Sequence, residues 1–348
     1  MSEQNSLKSQ TVAVVVGRWQ LFHKGHQTLL DKALEVAERV VVVIGSSFHS
    51  RDPKNPFDWE ERAEMIRSAY GEDTSKRLLM LPVRDYFDDE LWNAAVRKGV
   101  NDLVGRPARV KLVGFFKDSS SYYLRSFREW ELEVVEQIHQ LDATELRNVY
   151  FGSDEVGSAL RVMKPYVNPG VLSYLQAWAQ MAEYARRKRE HLAVKAYREK
   201  WTATAYNTAD ALVQVGSHVL LIRRGGEIGH GLWALPGGFV EKDETFLTAA
   251  IRELKEETNF GVLDMSIRGA LKGTQLFDHP SRSPRGRLVT VAHHFKFGDG
   301  PLPEVRAADD AKEVRWFHVD ELPELESQLF EDHGRIIGSF LRIGPRGV

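Results

Sequence analysis

At 348 residues the chain exceeds one typical domain, and two domains of about 150 to 190 residues each fit its length. A net charge of -2, with 43% hydrophobic and 28% charged residues, is an ordinary globular balance and excludes a global field suited to nucleic acid or a membrane surface. The absence of cysteine excludes disulfides and thiolate-ligated zinc, and accords with a reducing compartment. Met1 to Gln10 is polar and lacks the apolar core of a signal peptide, and no run approaches the roughly 18 apolar residues of a membrane span. A soluble, cytoplasmic chain is the expectation.

Thr11 to Val16 is a continuous apolar, β-branched run, as in a strand buried on both faces of a parallel sheet. It ends in Gly17-Arg18-Trp19-Gln20-Leu21-Phe22-His23-Lys24-Gly25-His26. An amphipathic helix to about Arg39 and an all-apolar strand, Val40 to Ile44, complete a βαβ unit. Its loop lies at the carboxyl end of the first strand, where ligands sit in open parallel sheets and where the helix N-terminus favours phosphate. His23 and His26, three apart at the head of that helix, are placed to face such phosphates. Leu78 to Val83 and Arg109 to Phe116 read as further strands.

The loop resembles the GRFQPxHxGH signature of the HxGH nucleotidyltransferases. Gly17, Gln20, His23, Gly25 and His26 stand in place, while Trp19 and Leu21 replace Phe and Pro. Asp142-Ala143-Thr144-Glu145-Leu146-Arg147 is similar to the second signature of these enzymes, (I/S)SxTxxR, with Asp142 where Ser is usual. The resemblance, which runs from about Val12 to Leu175, implies a Rossmann-like α/β domain with a parallel sheet. It also implies catalysis by His23, His26 and Arg147, and ATP binding by Gly17, Arg18, Gln20, Gly25 and Thr144. The stretch from Gly45-Ser46-Ser47 through Lys54-Asn55-Pro56-Phe57 to Glu61-Arg62 looks like the archaeal-type nicotinamide mononucleotide (NMN) adenylyltransferases. So does Lys117 to Tyr123. That likeness implies NMN binding by Lys54, Asn55, Asp85 and Trp92, an aromatic face being apt for a cationic pyridinium. Trp92 as a core residue of an amphipathic helix stays open. With no cysteine and no serine nucleophile beside a base, the residue set suits direct in-line attack by a mononucleotide phosphate on ATP.

Residues 186–201 carry Arg186-Arg187-Lys188-Arg189 in an Ala-rich helical run, read as a helical linker between domains 1–185 and 202–348. Beyond it the texture is β-rich: Thr208 to Val215, His218 to Ile222, Leu232 to Leu235, Val289 to Phe297 and Glu313 to Phe317. Between Pro236-Gly237-Gly238 and Asn259 lies an amphipathic helix. Leu247, Ile251 and Leu254 form its apolar stripe, and Glu253, Glu256 and Glu257 cluster opposite. Like charges one turn apart oppose helix formation, so a compensating hard divalent cation is the natural partner. Without further context, three glutamates also describe an ordinary solvated face.

The spacing of Gly238, Glu244 and Arg252-Glu253-Leu254-Lys255-Glu256-Glu257 resembles the Nudix box, with Asn259 where Gly is usual. That implies an α/β/α Nudix domain with a mixed sheet, and Mg2+ (or Mn2+) held by Glu256 and Glu257. Glu244 and Glu253 would complete the metal site or act as base, and Arg252 would orient the glutamates. Phe277 to Arg287 is similar to a substrate loop of ADP-ribose pyrophosphatases, implying ADP-ribose contacts from Arg282, Arg285 and Gly238. An ordinary exposed loop is the alternative.

The whole chain looks like the two-domain bacterial NMN adenylyltransferase/ADP-ribose pyrophosphatases. ATP, NMN, NAD+ and ADP-ribose are then its substrates or products, and its partners are small nucleotides rather than nucleic acid or membrane. A homo-oligomer, a dimer first, is the expected assembly. Two rivals stand beside this reading. The Nudix domain is a sensor that binds ADP-ribose or NAD+ without cutting it, or the first domain adenylylates a pantetheine or nicotinate compound.

Overall fold

A computed structural model describes residues 11–86, 88–105, 109–115, 124–135 and 142–343. Phe116 and the family-like stretch 117–123 lie outside them. The chain separates into two compact units, one formed by residues up to 48 with 54–186, the other by 49–53 with 187 onward. The pentapeptide 49–53 therefore departs from the sequential division expected from the sequence.

The first unit runs β1 (Thr11–Gly17), α1 (Lys24–Val36), β2 (Arg39–Ile44), α2 (Trp59–Arg67), α3 (Glu72–Ser75), β3 (Leu78–Pro82), α4 (Asp89–Val104), β4 (Arg109–Gly114), β5 (Glu131–Val134), α5 (Ala143–Gly152), α6 (Val156–Met163) and α7 (Pro169–Trp178). Its five strands lie in the order β3-β2-β1-β4-β5, all pairs parallel. Val14 sits opposite Val41 on one side and Leu112 on the other. Period-two alternation distributes β1 to two cores. Ala13 and Val15 pack under α1 with Leu30 and Ala33, while Val12 and Val14 pack with Val96 and Val100 of α4. Both faces are covered, which is why the strands read as unbroken apolar runs.

α8 (Ala182–Lys200) carries the division between the units. The second unit continues with β6 (Tyr206–Val215), β7 (His218–Arg224), β8 (Trp233–Ala234), β9 (Gly237–Phe239), α9 (Phe246–Thr258), α10 (Asp264–Gly269), β10 (Leu271–Phe277), β11 (Leu288–Phe297), β12 (Ala311–His318), a 3-10 segment (Val319–Gln328) and α11 (His333–Leu341). The sheet order is β10-β11-β6-β7-β12, with β8 on β7 and β9 on β6. Only β11 with β6 is parallel among these pairs, so the sheet is mixed. α9 lays Ala249, Ala250, Ile251 and Leu254 on Ala209, Ala211 and Val213, with Leu247 partly buried at the margin. The opposite face packs Leu212 and Leu221 against Ile336 and Ile337 of α11. Among the described residues no helix is long and apolar enough to cross a membrane.

Candidate active sites

In the first unit the loop after β1 folds back on the sheet. Trp19 takes a left-handed backbone (φ 55°), is buried, and donates from its indole to the Val43 carbonyl at 2.8 Å. A Cβ at Gly17 would fall 2.8 Å from that ring, so the glycine is what admits the tryptophan. The Gln20 amide clasps the Phe57 backbone from both sides, donating to its carbonyl (2.8 Å) and accepting from its N–H (3.2 Å). His23 caps α1, its Nδ1 accepting from the amides of Gly25 (3.1 Å) and His26 (3.4 Å). A neutral His23 therefore carries its proton on Nε2. The two imidazoles stack at 3.8 Å and 23°, giving one nitrogen-rich face at the positive end of a helix.

The second signature joins this loop from 127 positions away: the Arg147 guanidinium donates to the Gln20 carbonyl and, at 3.1 Å, to Thr144 Oγ1. Asp142, at the position of the usual Ser, caps α5 by accepting from the Thr144 amide at 2.7 Å. Gln20, His23, His26, Thr144 and Arg147 are thus brought together. Arg147 is buried, whereas Thr144 opens to solvent.

One organising residue of this site belongs to the family-like stretch but has no role readable from the sequence. Arg62 of α2 is 1% exposed and donates to the carbonyls of Arg18 (2.7 Å), Gly45 (2.7 Å), Ser46 (3.1 Å) and Asp58 (3.0 Å). It braces the loops after β1 and β2 against one helix. Burial lowers its pKa to about 10, which leaves it charged at neutral pH. Asp85, exposed, is near enough to favour that charge. Asn55 is buried and Lys54 half-buried. Trp92 is half-buried in the cluster of Val96 and Val100, edge-on to Phe127 at 6.2 Å. Core packing therefore accounts for at least one side of its ring.

In the second unit Thr245 caps α9 and Asn259 ends it in the left-handed conformation (φ 48°, ψ 38°), its amide bonded to the Lys255 carbonyl. Asn does here what Gly would do. Arg252 is the hub. It donates to Glu244 (2.6 and 3.2 Å), Glu253 (2.8 Å), Glu256 (2.9 Å) and the Phe239 carbonyl (2.9 Å). These bonds, that to Glu244 first, raise the Arg252 pKa, and the same contact lowers that of Glu244. Gly238 is placed by close approach, since a Cβ there would lie 2.3 Å from Glu253 Oε1.

Glu257 is set apart from the other three. It is buried and accepts from the Gly237 amide at 2.9 Å. Burial, then the neighbouring Asp310 and Glu253, push its pKa well up, and burial also raises Glu253. Among the described residues no three His, Asp or Glu groups stand in a ready metal-ligating array. The reason is visible: Arg252 occupies the centre of Glu244, Glu253 and Glu256. The chemistry of the donors nonetheless fits a divalent cation. Glu253 and Glu257 are desolvated oxygen donors, and the charge of the exposed Asp310 bears on Glu257; a hard cation relieves that burial and repulsion. Asp310 escapes the motif reading; the acidic pair Asp309-Asp310 just ahead of β12 is the signal that could have found it.

The arginines expected to meet substrate are each held by a carboxylate. Arg282 forms a buried bidentate pair with Asp332 (2.7 and 3.0 Å), and Arg285 one with Glu331 (3.0 and 3.1 Å). Ser283 joins Glu331 at 2.6 Å, and Arg287 turns to the Asp278 carbonyl. Buried guanidinium needs a counter-charge, and α11's N-terminal approach supplies two. Arg282 to Arg285 are thereby anchored, while 278–281 stay exposed.

The Cytidylyltransferase-like family matches residues 14–84, and the NUDIX domain family matches residues 206–339. A nicotinamide/nicotinic acid mononucleotide adenylyltransferase of Acinetobacter baylyi is 31% identical over 169 residues, 47% of this chain and 90% of the relative. An ADP-ribose pyrophosphatase of Methanocaldococcus jannaschii is 35% identical over 133 residues, 38% of this chain and 71% of the relative. A crystal structure of a bifunctional NMN adenylyltransferase/ADP ribose pyrophosphatase from Francisella tularensis, complexed with AMP and Mn ion, aligns with a TM-score of 0.87 at 34% identity. It covers 96% of this chain and 99% of that one.

The chain belongs to the bifunctional NMN adenylyltransferase/ADP-ribose pyrophosphatase family. Membership accounts for the pairing of two unlike sheets in one chain, each with its own constellation of charged residues. In the adenylyltransferase unit both family signatures converge on one loop through Arg147 and Gln20. In the Nudix unit the box glutamates are held by one arginine.

Proposed function

We propose that the first unit transfers the adenylyl group of ATP to NMN, giving NAD+ and pyrophosphate, and that the second hydrolyses ADP-ribose to AMP and ribose 5-phosphate. The observation that carries the first reading is the stacked His23–His26 pair at the N-terminus of α1, with Arg147 fastened to the same loop. An NMN phosphate oxygen forms the new bond to the α-phosphorus of ATP, and the bond from that phosphorus to the bridging oxygen breaks. His23, His26, Thr144 and Arg147 bind and orient the phosphates and meet the charge that develops on them. Asp85, Trp92, Lys54 and Asn55 are assigned to the NMN side.

For the second unit the Arg252 hub supports hydrolysis over sensing. Binding alone does not need three glutamates oriented by one guanidinium beside a desolvated fourth. Glu244, Glu253, Glu256 and Glu257 would hold a divalent ion, Mg2+ in this reading, with Asp310 as a further carboxylate beside Glu257. Bound there, it supplies Lewis-acid stabilisation of the diphosphate and a more acidic water. Arg252 positions the glutamates, and Gly238 leaves room for Glu253 beside the loop. A product-identification assay with NMN plus ATP, and separately with ADP-ribose and a divalent ion, tests both halves. Absence of NAD+ in the first or of AMP in the second defeats the corresponding assignment.

A further inference from the structure

Beside the Nudix hub stands an aromatic cluster that neither chemistry uses. The chain leaves α8 through Trp201, whose amide still bonds the Tyr197 carbonyl at 2.9 Å. The Trp201 indole lies nearly parallel to the Phe239 ring, centroids 5.6 Å apart at 22°. Tyr206 stands edge-on to both, at 5.8 Å and 6.0 Å, and its hydroxyl accepts from the Ala203 amide at 2.7 Å. The turn that presents Trp201 is therefore pinned to the first residue of β6.

Two features set this cluster apart from core packing. Trp201 stays 40% exposed although three rings surround it, Phe239, Tyr206 and Tyr197, the last at 6.0 Å and 30°. The Lys200 ammonium lies over it, 5.4 Å from its centre, a flexible cover that a flat ligand displaces at little cost. Phe239 also ties the cluster to the chemistry. Its carbonyl accepts from Arg252, the hub of Glu244, Glu253 and Glu256, and it follows Gly238 directly in β9. An aromatic surface whose backbone carbonyl is held by the same arginine that holds the box glutamates, with an ammonium over its ring, is suited to a nucleobase whose phosphates reach the hub.

We propose that Trp201, backed by Phe239, is the base-stacking platform of the Nudix unit, taking the adenine of its nucleoside diphosphate substrate. Lys200 then swings from the ring face toward the phosphates. Stacking is equally strong before and after phosphorus–oxygen cleavage, so it acts on binding and not on turnover. Trp201 is in this sense a specificity-determining residue, not a catalytic one.

The proposal rests on the hydrolytic reading above, and the test separates the two. The full chain is compared with Trp201→Leu, which keeps apolar bulk on Phe239, and Trp201→Phe, which keeps a smaller ring. Steady-state hydrolysis of ADP-ribose is measured with AMP and ribose 5-phosphate as product inhibitors. Loss of the indole is expected to raise KM for ADP-ribose and the inhibition constant of AMP together, by about 5- to 30-fold. The constant for ribose 5-phosphate, which has no base, and kcat stay within about twofold. Trp201→Phe recovers part of the loss. Unchanged KM in a variant that melts like the parent overturns the platform, as does an equal rise for both inhibitors. If Trp201→Leu fails to fold, Trp201→Phe decides: a selective rise in its AMP constant supports the platform, and an unchanged one overturns it. Failure of the parent chain to cleave ADP-ribose defeats the hydrolytic assignment alone. The platform is then judged on a panel of nucleoside diphosphate sugars, and falls if no cleaved member shows a KM that Trp201→Leu raises.

Discussion

The buried Glu257 carboxylate accepts a hydrogen bond of 2.9 Å from the Gly237 amide, 20 positions earlier in the chain. The contact fastens the C-terminal half of α9 to the loop that ends in Gly238, and so sets where the box glutamates stand. Removing charge without removing shape is the informative change. Glu256→Gln with Glu257→Gln keeps the apolar stripe of Ile251 and Leu254 and should leave the chain folded. ADP-ribose hydrolysis is expected to fall at least about 100-fold, the scale of losing one major electrostatic contribution, with NAD+ synthesis within about twofold. Parallel assays of the two activities check this, and equal loss of both would contradict two independent sites.

His26→Ala removes the outer member of the stacked imidazole pair while leaving His23 as the cap of α1. A group that meets charge in the transition state lowers kcat and kcat/KM together. The expected result is a fall in kcat for NAD+ synthesis of at least about 100-fold, with KM for ATP within about threefold. A rise in that KM at constant kcat would make His26 a binding residue.

Trp92 has one side in the cluster with Phe127, so truncation to Ala costs packing as well as any stacking on nicotinamide. Trp92→Ala should lower the melting temperature and raise KM for NMN roughly 5- to 30-fold, leaving ATP unaffected. Thermal melts run beside the kinetics separate the two effects. Lower stability at unchanged KM would assign the ring to the core alone.

Burial lowers the pKa of His333 to about 4, and its Nδ1 accepts from the Leu235 amide at 2.9 Å. The unfolded histidine titrates near 6.5, so between about 6.5 and 4 the unfolded chain binds a proton that the folded chain refuses. The stability this represents is fully present above about pH 6.5 and is lost as pH falls toward 4. It amounts to roughly 3 kcal/mol across that window. His333→Asn keeps an acceptor for Leu235 and removes the titration. Denaturant melts of the second unit's transition at pH 7.5 and 5 should show a smaller loss in the variant than in the parent.

How much of this was legible in the sequence depended on how local each signal is. Val12 to Val15 and Val40 to Val43 are covered on both faces, so their apolar runs announced β1 and β2 directly. Leu247, Ile251 and Leu254 likewise declared the buried side of α9. By contrast β5 is four residues long at a sheet edge, and β10 is an edge strand exposed through most of its length. β5 buries none of its four residues, and β10 buries only Phe277, so neither carries a readable pattern. Motif residues were readable because their spacing is fixed within one loop and one helix. Partnerships across 50 positions, such as Arg282 with Asp332, leave no mark on either segment alone. Arg62 was invisible as a brace for the same reason: its acceptors are backbone carbonyls, which every residue has.

The two sets of arginine–carboxylate contacts in the second unit answer differently to ionic strength. Arg282 and Asp332 are 3% and 2% exposed, so mobile ions cannot enter between them. Arg252 and Glu256 are 24% and 49% exposed, within reach of counterions. Raising salt should thus loosen the hub while Arg282 to Arg285 stay fastened. Activity of this unit becomes salt-sensitive at concentrations where its unfolding midpoint hardly moves, and a halophilic relative would have to rebuild the hub and could keep the anchor.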